Sequence, residues 1–235
     1  MIKGTLYLIP SLLGESPVDS VFPPENKKII SRIKYFIVEE IRTARRFLKK
    51  ISPEIEIDSL TFTLYNEHTH AADAASMLLP LLNGEDAGII SEAGTPCVAD
   101  PGSRVVQLAH QSGIQVVPLV GPSSLLLALM ASGFNGQQFV FHGYLPIEKP
   151  ARTKRLKEIE QDIIKKDQTQ IFIETPYRNL QLLQAITEAC LDSTLLCIAT
   201  SLTTSEETVI TLPVKDWKKK KPDINKKPAV FLLYR

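Results

Sequence analysis

Residues 89–102 read IISEAGTPCVADPG. Ala87-Gly88-Ile89-Ile90 has the character of a short buried strand, and it stops at Ser91. The eleven residues from Glu92 to Gly102 then hold two carboxylates, two glycines and two prolines. Glycine opens positive φ, and proline fixes φ while removing a donor, so this punctuation specifies a loop of one shape. In α/β sheets ligands bind in crevices just beyond the carboxyl ends of strands. Gly-Thr-Pro and Asp-Pro-Gly are also common turn fragments, so an ordinary connection is the alternative. The strand-end position favours ligand contact.

Outward from this loop the pattern alternates strand and helix. Thr5–Ile9, Tyr35–Val38, Leu60–Tyr65 and Val116–Val120 read as strands. Glu40–Lys50 reads as a basic helix, and Ala71–Leu82 has helical spacing, with Pro80 predicting a kink or a short last turn. Ser11–Lys28 holds three prolines and little periodicity, so a loop is expected there. Ser103 is a candidate cap for the helix that follows the opening loop. Gly121-Pro122-Ser123-Ser124 opens a very apolar helix, Leu125–Ser132. Phe139–Phe141, Gln170–Glu174, Leu195–Thr200, Thr208–Leu212 and Ala229–Tyr234 read as later strands, with a solvated helix at Glu148–Lys166 and another helix at Asn179–Cys190. The fold class is α/β in two domains, 1–118 and 119–235, the first sheet mostly parallel and the second mixed.

Composition narrows the classes. The net charge of +1 provides no global field for nucleic acid, so a polyanion must be met by local patches. Cys97, Cys190 and Cys197 show no paired or metal-type spacing, which points to a reducing compartment. The start of the chain has no signal-peptide pattern, and the most apolar run, Leu125–Ala131, is too short to span a bilayer. A cytoplasmic protein with no membrane partner is expected. His68 and His70 lack further ligands at metal spacing, so no metal is expected.

Several strand ends carry Pro, Gly, Ser or Thr: Ile9-Pro10-Ser11, Ser91–Pro96, Gly121–Ser124, Glu174-Thr175-Pro176 and Ala199–Thr203. Backbone amides and small hydroxyls suit an uncharged or zwitterionic ligand rich in hydrogen-bonding groups. No GxGxxG and no GxxxxGK[ST] occurs, which argues against a dinucleotide site of the usual kind and against a P-loop.

Ser91–Gly102 is similar to the SDAGTP-x-(I/V)-x-DPG signature of the small-subunit ribosomal RNA 2′-O-methyltransferases in the tetrapyrrole methylase superfamily. The resemblance continues in Val117–Ser124 (VPLVGPSS), Leu129–Gly133 (LMASG), Phe139–Pro146 (FVFHGYLP), Glu174–Arg178 (ETPYR) and Tyr65–His68 (YNEH). It implies two α/β domains with S-adenosylmethionine in the cleft between them, usually in a homodimer. The implied cofactor contacts are Ile9, Pro10, Gly94, Thr95, Pro96, Val98, Ser123, Ser124, Thr175, Pro176, Ala199 and Ala229. The implied acceptor is ribosomal RNA or the small ribosomal subunit.

The departures bear on the acceptor. The family's TPIGN reads Ile9–Gly14 (IPSLLG) here, its AEDTR reads Val38–Arg42 (VEEIR), and its ARELTK reads Ala199–Thr204 (ATSLTT). Cofactor loops are kept better than the basic residues. A methyltransferase acting on a tetrapyrrole or other small molecule is therefore the first alternative, and a non-catalytic S-adenosylmethionine-binding module the second.

Candidates for a base are Asp100, Glu92 and Glu39; bracing of the loop is the competing role for Asp100. Arg42, Arg45, Arg46, Lys49 and Lys50 share a helix face, which reads either as an RNA phosphate footprint or as a solvated surface. Arg42, Arg45, Arg46 and His68 are the candidate substrate contacts. Lys218–Lys221 reads as an exposed loop, Trp217 as a core-edge residue or a base-stacking one, and Cys97 as small buried packing.

Overall fold

The computed structural model describes residues 2–66, 69 and 73–235. The chain divides into two compact units, Met1–Ser123 and Ser124–Arg235, so the division falls after Ser123 rather than after residue 118.

The first unit is built on a five-stranded sheet: β1 (Thr5–Ile9), β2 (Tyr35–Val38), β3 (Thr61–Leu64), β4 (Ala87–Ile90) and β5 (Gln115–Pro118), in the order β3-β2-β4-β1-β5. Every pairing is parallel, with Ile9 opposite Ile90 and Val38 opposite Ile90. All five strands therefore end on one edge. All four residues of β2 and of β4 are buried, as expected for strands covered on both faces. The period of two sorts them: Phe36, Val38 and Ile90 join one core, Tyr35, Ile37 and Ile89 the other. Phe36 is fully buried and stacks on Phe62 at 5.8 Å between ring centroids.

Helices cover both faces. Ile41–Ile51 turns Ala44, Phe47, Leu48 and Ile51 inward and leaves its basic residues outside, with the Glu40 carboxylate accepting from the Arg42 amide at its start. The stretch 11–28, expected as loop, holds a short helix at Val18–Val21 and most of another at Pro24–Ile30. Pro24 supplies the preset φ of a first helical position, and the buried Asn26 donates its amide to the Val120 carbonyl at 2.7 Å. The expected Ala71–Leu82 helix instead includes two short helices, Asp73–Ser76 and Leu79–Leu82, with Pro80 in the first turn of the second. A proline inside one continuous helix would remove a hydrogen bond and clash with a carbonyl. Ser103 is the first residue of the Ser103–Gln111 helix, and Gly102 holds the cap position.

The second unit has β6 (Phe139–Tyr144), β7 (Thr169–Ile173), β8 (Leu195–Thr200), β9 (Thr208–Pro213) and β10 (Ala229–Tyr234), in the order β6-β7-β10-β8-β9. Only β6 and β7 are parallel; the others pair antiparallel, which gives the mixed sheet. The Lys149–Lys166 helix is not simply solvated, because Leu156, Ile159 and Ile163 are buried in the core with Phe172 and Phe231. Trp217 is buried, and its indole N–H donates to the Leu196 carbonyl at 2.9 Å, which fixes it as a packing residue. Among the described residues no helix is long and apolar enough to cross a membrane.

Phe36 lies under the centre of the first sheet. The Phe36→Ala variant is expected to lose about 3–5 kcal/mol of stability in a denaturant titration.

Candidate functional site

Three loops meet at Gly94. Its carbonyl accepts from the Ser11 amide at 2.9 Å and from the Ser91 hydroxyl at 2.7 Å. The loop after β4 is thereby tied to the loop after β1. Gly94 has φ +77°, and a Cβ there would lie 2.9 Å from Leu13 Cδ2 and 3.3 Å from the Pro122 carbonyl oxygen. The loop after β5 completes the group: a Cβ on Gly121 would lie 2.2 Å from Pro10 Cγ. Ile9, Pro10, Gly94, Thr95, Pro96, Val98 and Ser123 are thus carried on the strand-end edge of one unit.

Beyond Gly94 the loop is held in a costly shape. Cys97 and Ala99 both sit at positive φ, 66° and 64°. Non-glycine residues there cost on the order of 1–3 kcal/mol each, and such outliers cluster at ligand sites. A Cβ on Gly102 (φ +126°) would meet the Cys97 sulfur at 2.9 Å, so the glycine lets the loop fold back on itself. Burial, reinforced by Asp100, pushes the Cys97 thiol up to about 11, which keeps it protonated and unreactive.

The three candidate carboxylates come together. Glu39 follows β2 directly; Glu92 and Asp100 lie on the loop after β4. Burial first, then the charges of Asp100 and Glu92, raise Glu39 to about 7. Burial and Glu92 raise Asp100 to about 6. The Glu92 residue is exposed overall, yet partial desolvation of its carboxylate raises its pKa, while a hydrogen bond with Thr43 opposes the rise. Oxygen Oε1 of Glu39 is buried and has no hydrogen-bond partner among the described residues.

A cleft of about 330 Å³ opens on this unit between the loop after β1, the Ile41–Ile51 helix and the start of the loop after β4. Arg46 lines it, and also lines a second hollow with Arg45 and Lys49 on the other side. Arg45 is engaged with Asp58 at 2.5 Å, an exposed pair of small energetic weight. Arg42 is exposed near the helix start. His68 lies outside the described residues.

The second unit gathers its own set. Val230 opposite Ile173 and Ala229 opposite Thr200 place the start of β10 beside the ends of β7 and β8. Thr175, Pro176, Ala199 and Ala229 therefore share one sheet edge, where the Ser201 amide donates to the Pro228 carbonyl and the Lys226 amide to the Pro176 carbonyl, both at 3.0 Å. Ser124 opens the Ser124–Ser132 helix. Buried Glu174 accepts from Arg178 and braces the turn after β7.

S-adenosylmethionine brings ammonium and ribose hydroxyl donors. The uncommitted Glu39 oxygen and the half-buried hydroxyls of Thr95 and Ser123 supply acceptors for such groups, so the strand-end edge fits the cofactor chemically. The sequence singles out Ser11 only as part of the Ile9-Pro10-Ser11 strand end, and gives Leu13 and Thr43 no role. Leu13 abuts Gly94, Thr43 bonds Glu92, and Ser11 is buried with an unpartnered hydroxyl. The nearness of Ser11 to a strand end was the one local signal.

Two outcomes are expected. Gly94→Ala adds roughly 1–2 kcal/mol of left-handed backbone strain as well as the Leu13 contact, so calorimetry should show weakened cofactor binding and a lowered Tm. Glu39 has a folded pKa of about 7 against an ordinary 4.5, so the folded chain holds the extra proton between these values. Its contribution to stability is full below about 4.5 and is lost as pH rises to about 7. Thermal melts across pH 4–8 should show this fall, and Glu39→Gln should flatten it.

Residues 24–217 match the family of tetrapyrrole (corrin/porphyrin) methylases. The ribosomal RNA small subunit methyltransferase I of Pseudomonas aeruginosa is 29% identical over 92% of this chain and 74% of its own length. The protein of the same name from Vibrio cholerae is 30% identical over 90% of this chain and 69% of its own. Among solved structures, the methyltransferase CobJ shares the fold, with a TM-score of 0.66 at 18% identity over 99% of this chain and 94% of that one. The chain belongs to the tetrapyrrole methylase family and is an S-adenosylmethionine-dependent methyltransferase.

Proposed function

We propose that the protein methylates a ribose 2′-hydroxyl of small-subunit ribosomal RNA in the cytoplasm. The observation that carries this reading is the likeness, over most of their length, to proteins named ribosomal RNA small subunit methyltransferase I. The basic face of the Ile41–Ile51 helix supports it, since Arg42, Arg46, Lys49 and Lys50 are exposed and Arg46 and Lys50 line the same cleft as Glu92.

The cofactor supplies a methyl group already activated on a sulfonium. What remains for the chain is to position and deprotonate the acceptor hydroxyl. Positioning falls to the loops locked at Gly94 and to the flanking cations. Proton removal falls to the carboxylate group, where Glu39 is poised near neutrality, the range in which a general base works best. Burial, and then the charges of Asp100 and Glu92, keep the pKa of Glu39 high, and Asp100 is the second candidate for the base.

The same reading carries a homodimer. On the Ser124–Ser132 helix Leu126 and Met130 lie one turn apart and are 51% and 80% exposed, an apolar pair suited to a second copy of the chain.

The decisive assay is transfer of labelled methyl from S-adenosylmethionine to unmodified small ribosomal subunits, run beside a tetrapyrrole acceptor. Label in RNA, resistant to alkaline cleavage at the modified nucleotide, is expected; label in the tetrapyrrole alone would replace this reading by the small-molecule one. Glu39→Gln is expected to lower kcat by about 10²–10⁴-fold and to remove the rise in rate between pH 6 and 7. Unchanged turnover of folded Glu39→Gln would assign that residue to bracing.

A further inference from the structure

The 330 Å³ cleft of the first unit has a chemistry of its own. Leu12, Leu13 and Phe47 give it apolar walls. Ser11 lines it too, 3% exposed, with a hydroxyl that has no hydrogen-bond partner among the described residues. A buried hydroxyl left in this state costs free energy unless a ligand or water completes it. At the rim stand two cations. Lys50 is held by Glu15 at 2.9 Å, whereas Arg46 has no ion-pair or hydrogen-bond partner among the described residues. Glu92 lines the cleft as well and so joins it to the carboxylate group.

Apolar walls, one buried hydroxyl and a free guanidinium at the mouth match a nucleotide: a flat base, sugar hydroxyls and a phosphate. The volume lies near the lower end of the range of about 300–1,000 Å³ for ligand pockets, which suits one nucleotide better than a tetrapyrrole macrocycle. Enzymes that act within a nucleic acid commonly turn the target nucleotide out of its stack into such a pocket. One wall comes from Ser11-Leu12-Leu13 after β1 and another from Phe47 of the Ile41–Ile51 helix.

We propose that the cleft receives one unstacked ribonucleotide of the acceptor RNA, its base against Leu12, Leu13 and Phe47, a sugar hydroxyl toward Ser11 and its phosphate on Arg46. This rests on the reading of RNA as the acceptor. Arg46 sets affinity, Ser11 distinguishes ribose from deoxyribose, and Glu92 brings the bound sugar to the carboxylates.

The test measures binding of unmodified small-subunit RNA to the full chain in the presence of S-adenosylmethionine, for the wild type, Arg46→Glu and Lys165→Glu, an exposed charge change on the other unit. Loss of about tenfold or more in RNA affinity is expected for Arg46→Glu, in the range of one charge-assisted phosphate contact, with S-adenosylmethionine affinity and Tm unchanged. Lys165→Glu should stay within about twofold, as expected for a charge outside the footprint. Equal losses in the two variants, or none in either, overturn the proposal. RNA carrying 4-thiouridine should photocrosslink to peptides containing Leu12–Gly14 or Phe47; crosslinks confined to other surfaces overturn it. The Ser11→Ala variant should lose preference for a ribo- over a deoxyribo-oligonucleotide, and an unchanged preference removes the role of Ser11. A wild-type protein that binds S-adenosylmethionine but neither binds nor methylates the RNA refutes the RNA reading itself, a result distinct from one in which the RNA is methylated and Arg46 is immaterial.

Discussion

The Gly94 carbonyl carries the site. It accepts from the Ser11 amide and the Ser91 hydroxyl, so both lone pairs are used and the strand-end loop has little freedom left. The absence of a side chain at Gly94 lets Leu13 and Pro122 close on it. Loops that follow three adjacent strands thus settle one another's shape. That rigidity suits methyl transfer, in which the donor is already activated and the acceleration comes largely from placement.

The second constraint is electrostatic. Glu39, Glu92 and Asp100 converge at the ends of neighbouring strands, and partial burial raises each of them. Glu39 and Asp100 are raised further by their carboxylate neighbours, which makes shedding a proton costly near neutrality. A protein selected for stability alone would dilute such a group; this one also keeps Glu39 Oε1 buried and unpaired. The strained Cys97 and Ala99 lie in the same loop. Strain and raised pKa values in one loop are the pattern of a site that gives up some stability for function.

Much of this was legible in the residues themselves. The strand at 87–90 and the shape of 91–102 follow from apolar run, glycine and proline, and the parallel sheet follows from alternating strand and helix patterns. The strand ends could be grouped from sequence, but the direct Ser11–Gly94 contact was not legible, because the two are far apart in the chain and only sheet order makes them neighbours. The Pro24–Ile30 helix was hidden because its prolines read as loop, although a proline at a first helical position promotes a helix. The Lys149–Lys166 helix looked solvated because charged residues outnumber the few, Leu156, Ile159 and Ile163, that anchor it. Thr43 and Leu13 carry no chemical signal by type; contact alone gives them a role.

The central claim is that the loops after β1, β4 and β5 form one cofactor-binding wall locked at Gly94. Hydrogen exchange with and without S-adenosylmethionine tests it most directly. Protection on adding the cofactor is expected together at Ser11–Gly14, at 91–100 and at 119–123, with the three segments responding over the same concentration range. Protection confined to one of these loops, or absent from all three while the cofactor is bound, would contradict it.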